Sequence, residues 1–434
     1  MRQPSPHAEP PAAEEHQRQV TRRTFRLEMW RAVPTGVLET VVTTFGLLIA
    51  VQYFEASVLM KAVLRSSPSL GLVASLFLLP FLLRLPWGLP RVAALLHFTG
   101  ALGFLVAMAS GDSAHGFIFG MSLGLFSYAV QVPLLTQIYN DNYPPHDRGR
   151  LFSLTTLARA GAAMSFSYLG GRLLGHELSW FPLVLSAFAV CGCLSAALIS
   201  RVPGKRPSRR RRRLRKPTFT SMRWIKRDPA FRRLLASWML LGLGNLMAMA
   251  IYVDYLADPF YGNPQSAATV ALMTGVIPLA GKLLFIYHWG IWFDRLNFYT
   301  VRVLLNSLVA LAILLFFIAD SLWVKGIGMF LHGVALGGGN IAWSLWVTKF
   351  APARHVTEYM TVHTFLTGLR GAVAPFLGLY MVRLIPIPVF AILCAAMSVG
   401  GSMIIAGNLR GRRKSGQGNG DSPTPPGQPA EPGG

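Results

Sequence analysis

Twelve runs of about twenty mostly apolar residues occupy nearly the whole chain, and each is long enough to cross a bilayer as a helix. Crossing takes ~20 such residues, because the hydrocarbon core is roughly 30 Å thick and a helix rises about 1.5 Å per residue. The runs lie near 34–53, 68–88, 91–110, 115–138, 151–174, 180–201, 231–256, 266–289, 299–319, 321–350, 359–384 and 386–408. Lipid offers the backbone no hydrogen bonds, so such a chain is expected to fold as an all-α integral membrane protein. Composition agrees, since 14% of the residues are charged, against about 25% in a soluble chain. The three cysteines, Cys191, Cys193 and Cys394, all sit inside apolar runs, which argues against a disulfide framework or a zinc site.

The formal net charge of +23 has a topological explanation. Of the 41 Lys and Arg residues, 32 fall in the tails and the loops on one side of the runs. Five fall on the other side (Lys61, Arg65, Arg172, Lys325 and Arg383), and four, Arg84, Arg159, Lys282 and Arg370, lie inside runs. Basic loops stay cytoplasmic, so both termini are expected in the cytoplasm, with the protein multi-pass in the plasma (inner) membrane. The run Arg209–Arg213 with Arg215 and Lys216 has no interleaved aromatic platform and no folded module around it. It reads as a topogenic linker whose residues 205–216 meet anionic lipid headgroups, not as a nucleic-acid patch. The expected organisation is a disordered tail over 1–30, a six-helix bundle over 31–201 and a basic linker over 202–230. A second bundle over 231–408 and a disordered tail over 409–434 complete it.

The two sixes are related by an internal repeat. A shift of 202 places Tyr53 on Tyr255 and Trp87-Gly88 on Trp289-Gly290. A shift of 208 lays the fifth run on the eleventh, with Leu169-Gly170 on Leu377-Gly378. The change of offset marks a deletion of about nine residues: Gly88 reaches Arg91 in three steps, whereas Gly290 reaches Arg302 in twelve.

Short motifs fall at matching places in this repeat. Gly290-Ile-Trp-Phe-Asp294-Arg295, at the end of the eighth run, is similar to the Gly-x3-Asp-Arg turn of the major facilitator superfamily. Tyr143-Pro-Pro-His-Asp147-Arg148-Gly149-Arg150, opening the fifth run, resembles that family's Pro-x-x-x-Arg-Gly-Arg turn. The likeness extends over residues 30–408, with two departures. The first-half copy of the Gly-x3-Asp turn is deleted, and the Gly-Pro element of family antiporters is absent from the fifth run. A nearer echo, Gly371-x3-Pro375-x2-Gly378, lies in the eleventh.

The resemblance implies twelve helices in two bundles that rock about a midplane site. It places runs five and eight, and two and eleven, across the interface between the halves. It makes the helices of Gln131, Asn245 and Asn340, in runs four, seven and ten, cavity-lining, with hydrogen bonding between helices as the competing reading of these residues. It also implies a cytoplasmic gate of Gly290, Asp294, Arg295 and Arg302, with Asp147, Arg148 and Arg150 as its first-half counterpart.

Charge inside a span is costly and marks a pathway or an ion pair by default. Glu39 lies about two turns into the first run, Arg159 and Lys282 lie at similar depth in the fifth and eighth, and Arg370 lies near the middle of the eleventh. The basic groups invite an anion, with Glu39 as counter-charge, proton carrier or plain ion-pair member. Arg84 is expected to snorkel, and Asp254 and Asp258 are expected as wet rim residues. Gly337-Gly338-Gly339 lacks the Lys-Ser/Thr of a phosphate loop and reads as close helix packing.

No enzyme motif emerges. His355-x2-Glu358-x4-His363 lacks the His-Glu-x-x-His spacing of a metal site, and no Gly-x-Ser-x-Gly elbow is present. No cofactor and no metal are expected. The expected function is secondary transport of a small, anionic organic solute by alternating access, with protons as partners through Glu39. The competing expectation is a non-transporting receptor or sensor on the same scaffold, which would bind its ligand and show no flux.

Overall fold

The computed structural model describes residues 11–144, 147–204, 222–296, 298–350 and 356–416. Twelve long helical segments are present, and the first half supplies six. Helix α1 runs Pro11–Thr40, passes through a π-helical turn at Val41–Phe45 and ends with Gly46–Gln52. Then come α2 (Val58–Leu82), α3 (Leu89–Ala109) and α4, which is Ala114–Val130 broken at Gln131 and resumed as Val132–Asn142. The half closes with α5 (Arg148–His176) and α6 (Phe181–Ser200).

The second half opens with α7 (Pro229–Ala257). Helix α8 comprises Ala267–Ala271, a second π-helical turn at Leu272–Val276, and Ile277–Arg295. The last four are α9 (Phe298–Ile318), α10 (Leu322–Phe350), α11 (Val356–Met381) and α12 (Ile387–Gly416). Among the described residues, nine helical segments are long and apolar enough on their own to cross a membrane. Helices α5, α10 and α11 carry more polar residues but pack among the nine as full-length neighbours. The chain is a multi-pass, all-α membrane protein of two six-helix bundles.

Small residues let helices of one half meet closely. A side chain on Gly103 of α3 would lie 2.6 Å from the Gly124 nitrogen and 2.7 Å from the Gly120 carbonyl of α4, so these two backbones touch, as membrane helices do at small residues. In α10, Gly338 leaves room for Trp289 and Leu305, which is the packing role its triplet suggests. Outward faces stay apolar: Phe98, Leu102 and Leu105 of α3 and Leu183, Val190 and Leu194 of α6 are exposed.

The halves meet on the side away from the termini and at mid-depth, where Ala160 and Ala163 of α5 pack on Leu279 of α8. On the side away from the termini, a single apolar cluster runs through both, from Phe45, Ile49, Phe117 and Phe188 to Ile251, Tyr252, Phe316 and Phe390. Gly175 of α5 faces Ala268 of α8 there, and the Ser66 hydroxyl of α2 donates to the Ala372 carbonyl of α11 at 2.8 Å. On the terminal side the apolar clusters are separate. One belongs to the first half, around Val92, Leu96, Ile138 and Ile199. Two belong to the second, around Phe231, Trp238 and Tyr359, and around Trp289, Val301 and Leu305.

Several expected boundaries move. The segment expected as a disordered tail over 1–30 is helical from Pro11, and Thr24 and Glu28 within it are buried. The tail expected from 409 is still helical to Gly416. The second span starts at Val58, ten residues before the apolar run suggested, and ends before Arg84. Lys61 and Arg65, expected in a loop, therefore lie in α2. Lys61 is buried against carboxylates of α7, and Arg65 donates to the Val42 and Met249 carbonyls. These partners remove the cost that hydropathy assigns to a lone charge.

Candidate functional site

Gly36 lets α1 lie directly on α5, because a side chain there would meet the Ala162 methyl at 2.8 Å and the Ala163 nitrogen at 3.0 Å. One turn on, Glu39 reaches across this contact. Its Oε2 is 3.3 Å from Arg159 Nε of α5, and its Oε1 is 3.8 Å from Lys282 Nζ of α8. Lys282 is only 7% exposed, whereas Arg159 and Glu39 keep 37% and 29% of their side-chain surface. One carboxylate thus stands between two cations, one from each half, and the trio carries one excess positive charge.

Both π-helical turns sit beside this trio. Each adds a residue to its turn and rotates the following helix by about 100°. Thr274 donates to the Val270 carbonyl at 2.8 Å, which leaves its oxygen to accept from Thr44, 3.1 Å away across the halves. The Ser167 hydroxyl of α5 is buried beside Gly275 and has no partner. Irregular backbone and an unused hydroxyl thus adjoin the charges, where regular helices would present only side chains.

A second charged group closes the far side. Lys61 Nζ donates to Asp254 Oδ1 at 2.7 Å and to Asp258 Oδ2 at 2.6 Å, so α2 is tied to the end of α7. Lys61 is 3% and Asp254 0% exposed, so Asp254 is not the wet rim residue expected. Tyr261 donates to Asp254 at 3.0 Å, and Arg383, past the end of α11, donates to Asp258 at 3.0 Å. Burial alone would raise the Asp258 carboxyl. The Lys61 bond, the Phe260 amide and the Lys61 and Arg383 charges outweigh it and hold that carboxyl below its ordinary value.

A third network lies inside the first half, and no charge-in-span argument pointed to it. Arg31 donates to both oxygens of Glu28, at 2.9 and 2.6 Å, and to Tyr139 Oη at 2.8 Å, while Tyr139 donates to Glu28 at 2.6 Å. His97 Nε2 is 3.4 Å from Arg31 Nη1 and 3.4 Å from Gln131 Nε2. Gln131 is therefore a buried member of this network at the break in α4, where the resemblance had made it cavity-lining. The usable signal was the polar spacing of residues 24, 28 and 31 along one helical face, which the reading of 1–30 as a tail discarded.

The other expected site residues scatter. Arg370 does not join the Glu39 trio; it donates to the Trp238 carbonyl of α7. Asn245 turns along its own helix to Met249 Sδ at 3.6 Å, and Asn340 is exposed toward the end of α10. Among the gate residues, Gly290 and Arg295 occupy the last turns of α8, with Arg295 exposed. Asp147 occupies the position just before α5, Arg148 donates to the Asn140 and Tyr143 carbonyls of its own half at 3.1 and 3.2 Å, and Arg150 is exposed. Arg302 is not a surface latch: it is 2% exposed, with its guanidinium 3.6 Å above the Trp238 ring. The aromatic face accepts the charge that water would otherwise solvate. The side chain of Asp294, the basic run 205–216, His355 and the side chain of Glu358 lie outside the described residues. Among the described residues no cluster of His, Cys, Asp and Glu could hold a metal.

Comparison with solved structures returns transporters. A nucleoside transporter, NupG, superposes with a TM-score of 0.69 at 16% identity, covering 90% of this chain and 99% of that one. A D-xylose–proton symporter gives 0.62 at 15% identity, covering 91% and 97%. The human organic anion transporter MFSD10 gives 0.60 at 17% identity, covering 92% and 100%. At such identities the likeness is one of fold. No curated protein matches the sequence. The profile of the Major Facilitator Superfamily matches residues 35–375, most of the chain and both of its halves, and the chain belongs to that superfamily.

Proposed function

We propose that this transporter moves a small anionic organic solute by alternating access, with both termini in the cytoplasm of a plasma (inner) membrane. The observation that carries the reading is the Glu39–Arg159–Lys282 trio, shared between the halves and holding an unbalanced positive charge. A carboxylate or phosphate arriving there completes the charge balance, and it makes charge-assisted hydrogen bonds in a poorly screened setting. The solute then bridges the two halves, so its arrival couples to their movement. Joined clusters on the far side and separate ones on the terminal side fit a state open to the cytoplasm. Glu39 is the one carboxylate of the trio and the group assigned to carry a proton. The basic segment 205–216 is assigned to anionic headgroups of the cytoplasmic leaflet.

Uptake of labelled carboxylates and organic phosphates into proteoliposomes tests the site. Lys282→Gln should weaken the apparent affinity for the transported anion by about 10- to 150-fold, the equivalent of the 1.5–3 kcal/mol that hydrogen bonds to charged groups contribute. Unchanged affinity in that variant would sink the anionic reading. Glu39→Gln keeps the shape and removes the titrating proton, so binding should persist while stimulation by a pH gradient is lost. Normal coupling in Glu39→Gln would reduce Glu39 to an ion-pair partner.

Orientation has its own check, motivated by the basic excess on the terminal side. Tags at the C-terminus and within 205–216 should both resist a membrane-impermeant protease in intact cells. Digestion of either one from outside refutes the orientation.

A further inference from the structure

The second half contains two arginines that no carboxylate among the described residues answers. Arg302 is buried near the start of α9, and its Nε and Nη2 have no hydrogen-bond partner. Arg370 of α11 uses Nη1 on the Trp238 carbonyl, and its Nε is buried without a partner. The two guanidinium groups therefore share one residue of α7, one on its ring and one on its carbonyl, and their charges repel. Gly242, one turn further along α7, makes the arrangement possible, because any side chain there would collide with the Arg370 guanidinium.

Two neutral groups around the pair are also unused. The Thr367 hydroxyl, one turn before Arg370 on α11, is buried without a partner. Asn306, one turn after Arg302 on α9, gives its amide nitrogen to Ser402 at 2.9 Å and leaves its carbonyl oxygen unpaired. His363 closes the group from α11, its ring 5.0 Å from that of Trp238. Among the described residues, no acidic side chain lies within ion-pair distance of either arginine.

Burying one charge without a partner is costly, and burying two of the same sign side by side costs more. Stacking on Trp238 offsets part of this for Arg302. It uses the face of the guanidinium, however, and leaves the in-plane N–H donors free. Those donors form the fork that matches two oxygens of a carboxylate or phosphate. The free Thr367 hydroxyl is a further donor, and the half-buried position of Arg370 leaves an approach.

We propose that Arg302 and Arg370 form a binding site for a carboxylate or phosphate group within the second half, between α7, α9 and α11. The site is separate from the Glu39–Arg159–Lys282 trio on α1, α5 and α8, and it stands whether or not the trio binds the transported solute. Its ligand is recognised by its oxyanion, which a soluble anion or a lipid headgroup can supply.

The test is thermal unfolding of the purified full chain in maltoside detergent, titrated with sodium phosphate or sodium acetate at an ionic strength held constant with sodium chloride. The melting temperature should rise saturably with at least one of the two oxyanions. Arg302→Gln and Arg370→Gln should each weaken that response by at least tenfold, and Arg370→Lys, which keeps charge but loses the fork, should fall between. Arg172→Gln, an exposed arginine outside both charged groups, should respond like the unaltered protein. If Arg302→Gln fails to fold, the half-buried Arg370→Gln and the small change Thr367→Val carry the test. Repeating the titration in nanodiscs of phosphatidylcholine and of phosphatidylglycerol separates the sources. Saturation of the response by phosphatidylglycerol alone assigns the site to a headgroup phosphate, and persistence of the response assigns it to a soluble anion. The proposal fails if neither salt stabilises the unaltered protein beyond chloride, or if both arginine variants respond normally. It fails equally if Lys282→Gln abolishes the response and Arg370→Gln leaves it intact.

Discussion

Lys61→Met should open the far side of the molecule. The substitution leaves the wholly buried Asp254 carboxylate facing an uncharged thioether in place of an ammonium, and removing one member of a buried pair costs about 3–5 kcal/mol. That loss falls on the state in which α2 and α7 are joined, so the population moves toward the state in which they part. Ala56 is buried at this end. In a background without the native cysteines, Ala56→Cys should react with a membrane-impermeant thiol reagent at least tenfold faster when combined with Lys61→Met. Unchanged labelling would show that the pair does not hold the far side shut. Lys61→Met with Asp254→Leu removes both charges and should restore slow labelling, because a buried pair replaced by apolar groups is often neutral.

The Asp258 member of this lock should keep its charge near neutral pH. The folded-state value of Asp258 is depressed, so its contribution is fully present above the ordinary carboxylate range. That contribution is lost only as pH falls through the lowered value.

Arg31→Met should be the most damaging single change in the first half. Glu28 would remain buried with Tyr139 as its donor but without a counter-charge, and His97 and Gln131 would lose the cation that organises them. The network joins α1 to α3 and to the break in α4, so the expected loss is again about 3–5 kcal/mol. It should be read as a lower melting temperature of the purified protein. Glu28→Gln with Arg31→Met should recover much of the loss, and the double-mutant cycle isolates the coupling. If the double variant is no better than Arg31→Met alone, the pair is not the element that holds these helices together.

The two predictions concern groups that stand at different distances from what a sequence can express. Glu39, Arg159 and Lys282 were legible because each is a lone charge deep in an apolar run, and lipid makes such charges rare. Pairing of Glu39 with Arg159 or Lys282 was an open alternative in the sequence, and the packing of α1 on α5 and of α5 on α8 brings both partners to it. Lys61 was read as a loop residue because hydropathy is a local sum, and the carboxylate that neutralises it lies 193 residues away. The same reasoning explains Asp254, whose rim assignment was sound for an unpaired carboxylate and fails once Lys61 is placed against it. Arg31 was hidden in a segment rich in charge, and the tyrosine that completes its pairing with Glu28 is 108 residues distant.

The sequence by itself determined the number of spans, their division into two sixes and the family turns at the ends of α8 and α5. All three depend on hydrophobic length and on short motifs, which are properties of contiguous residues. It also marked the sided distribution of basic charge, since that depends only on which loop each residue occupies. Tertiary structure alone decided which charges are partners, where α2 begins and why Arg302 leaves the proposed gate for the ring of Trp238. It also decided the π-helical turns of α1 and α8, whose extra residue has no local signature and brings Thr44 to Thr274 across the halves. The physical reason is the same in each case: a buried polar group's free energy is set by the atoms it meets, and in a helical membrane protein those atoms come from distant turns of the chain.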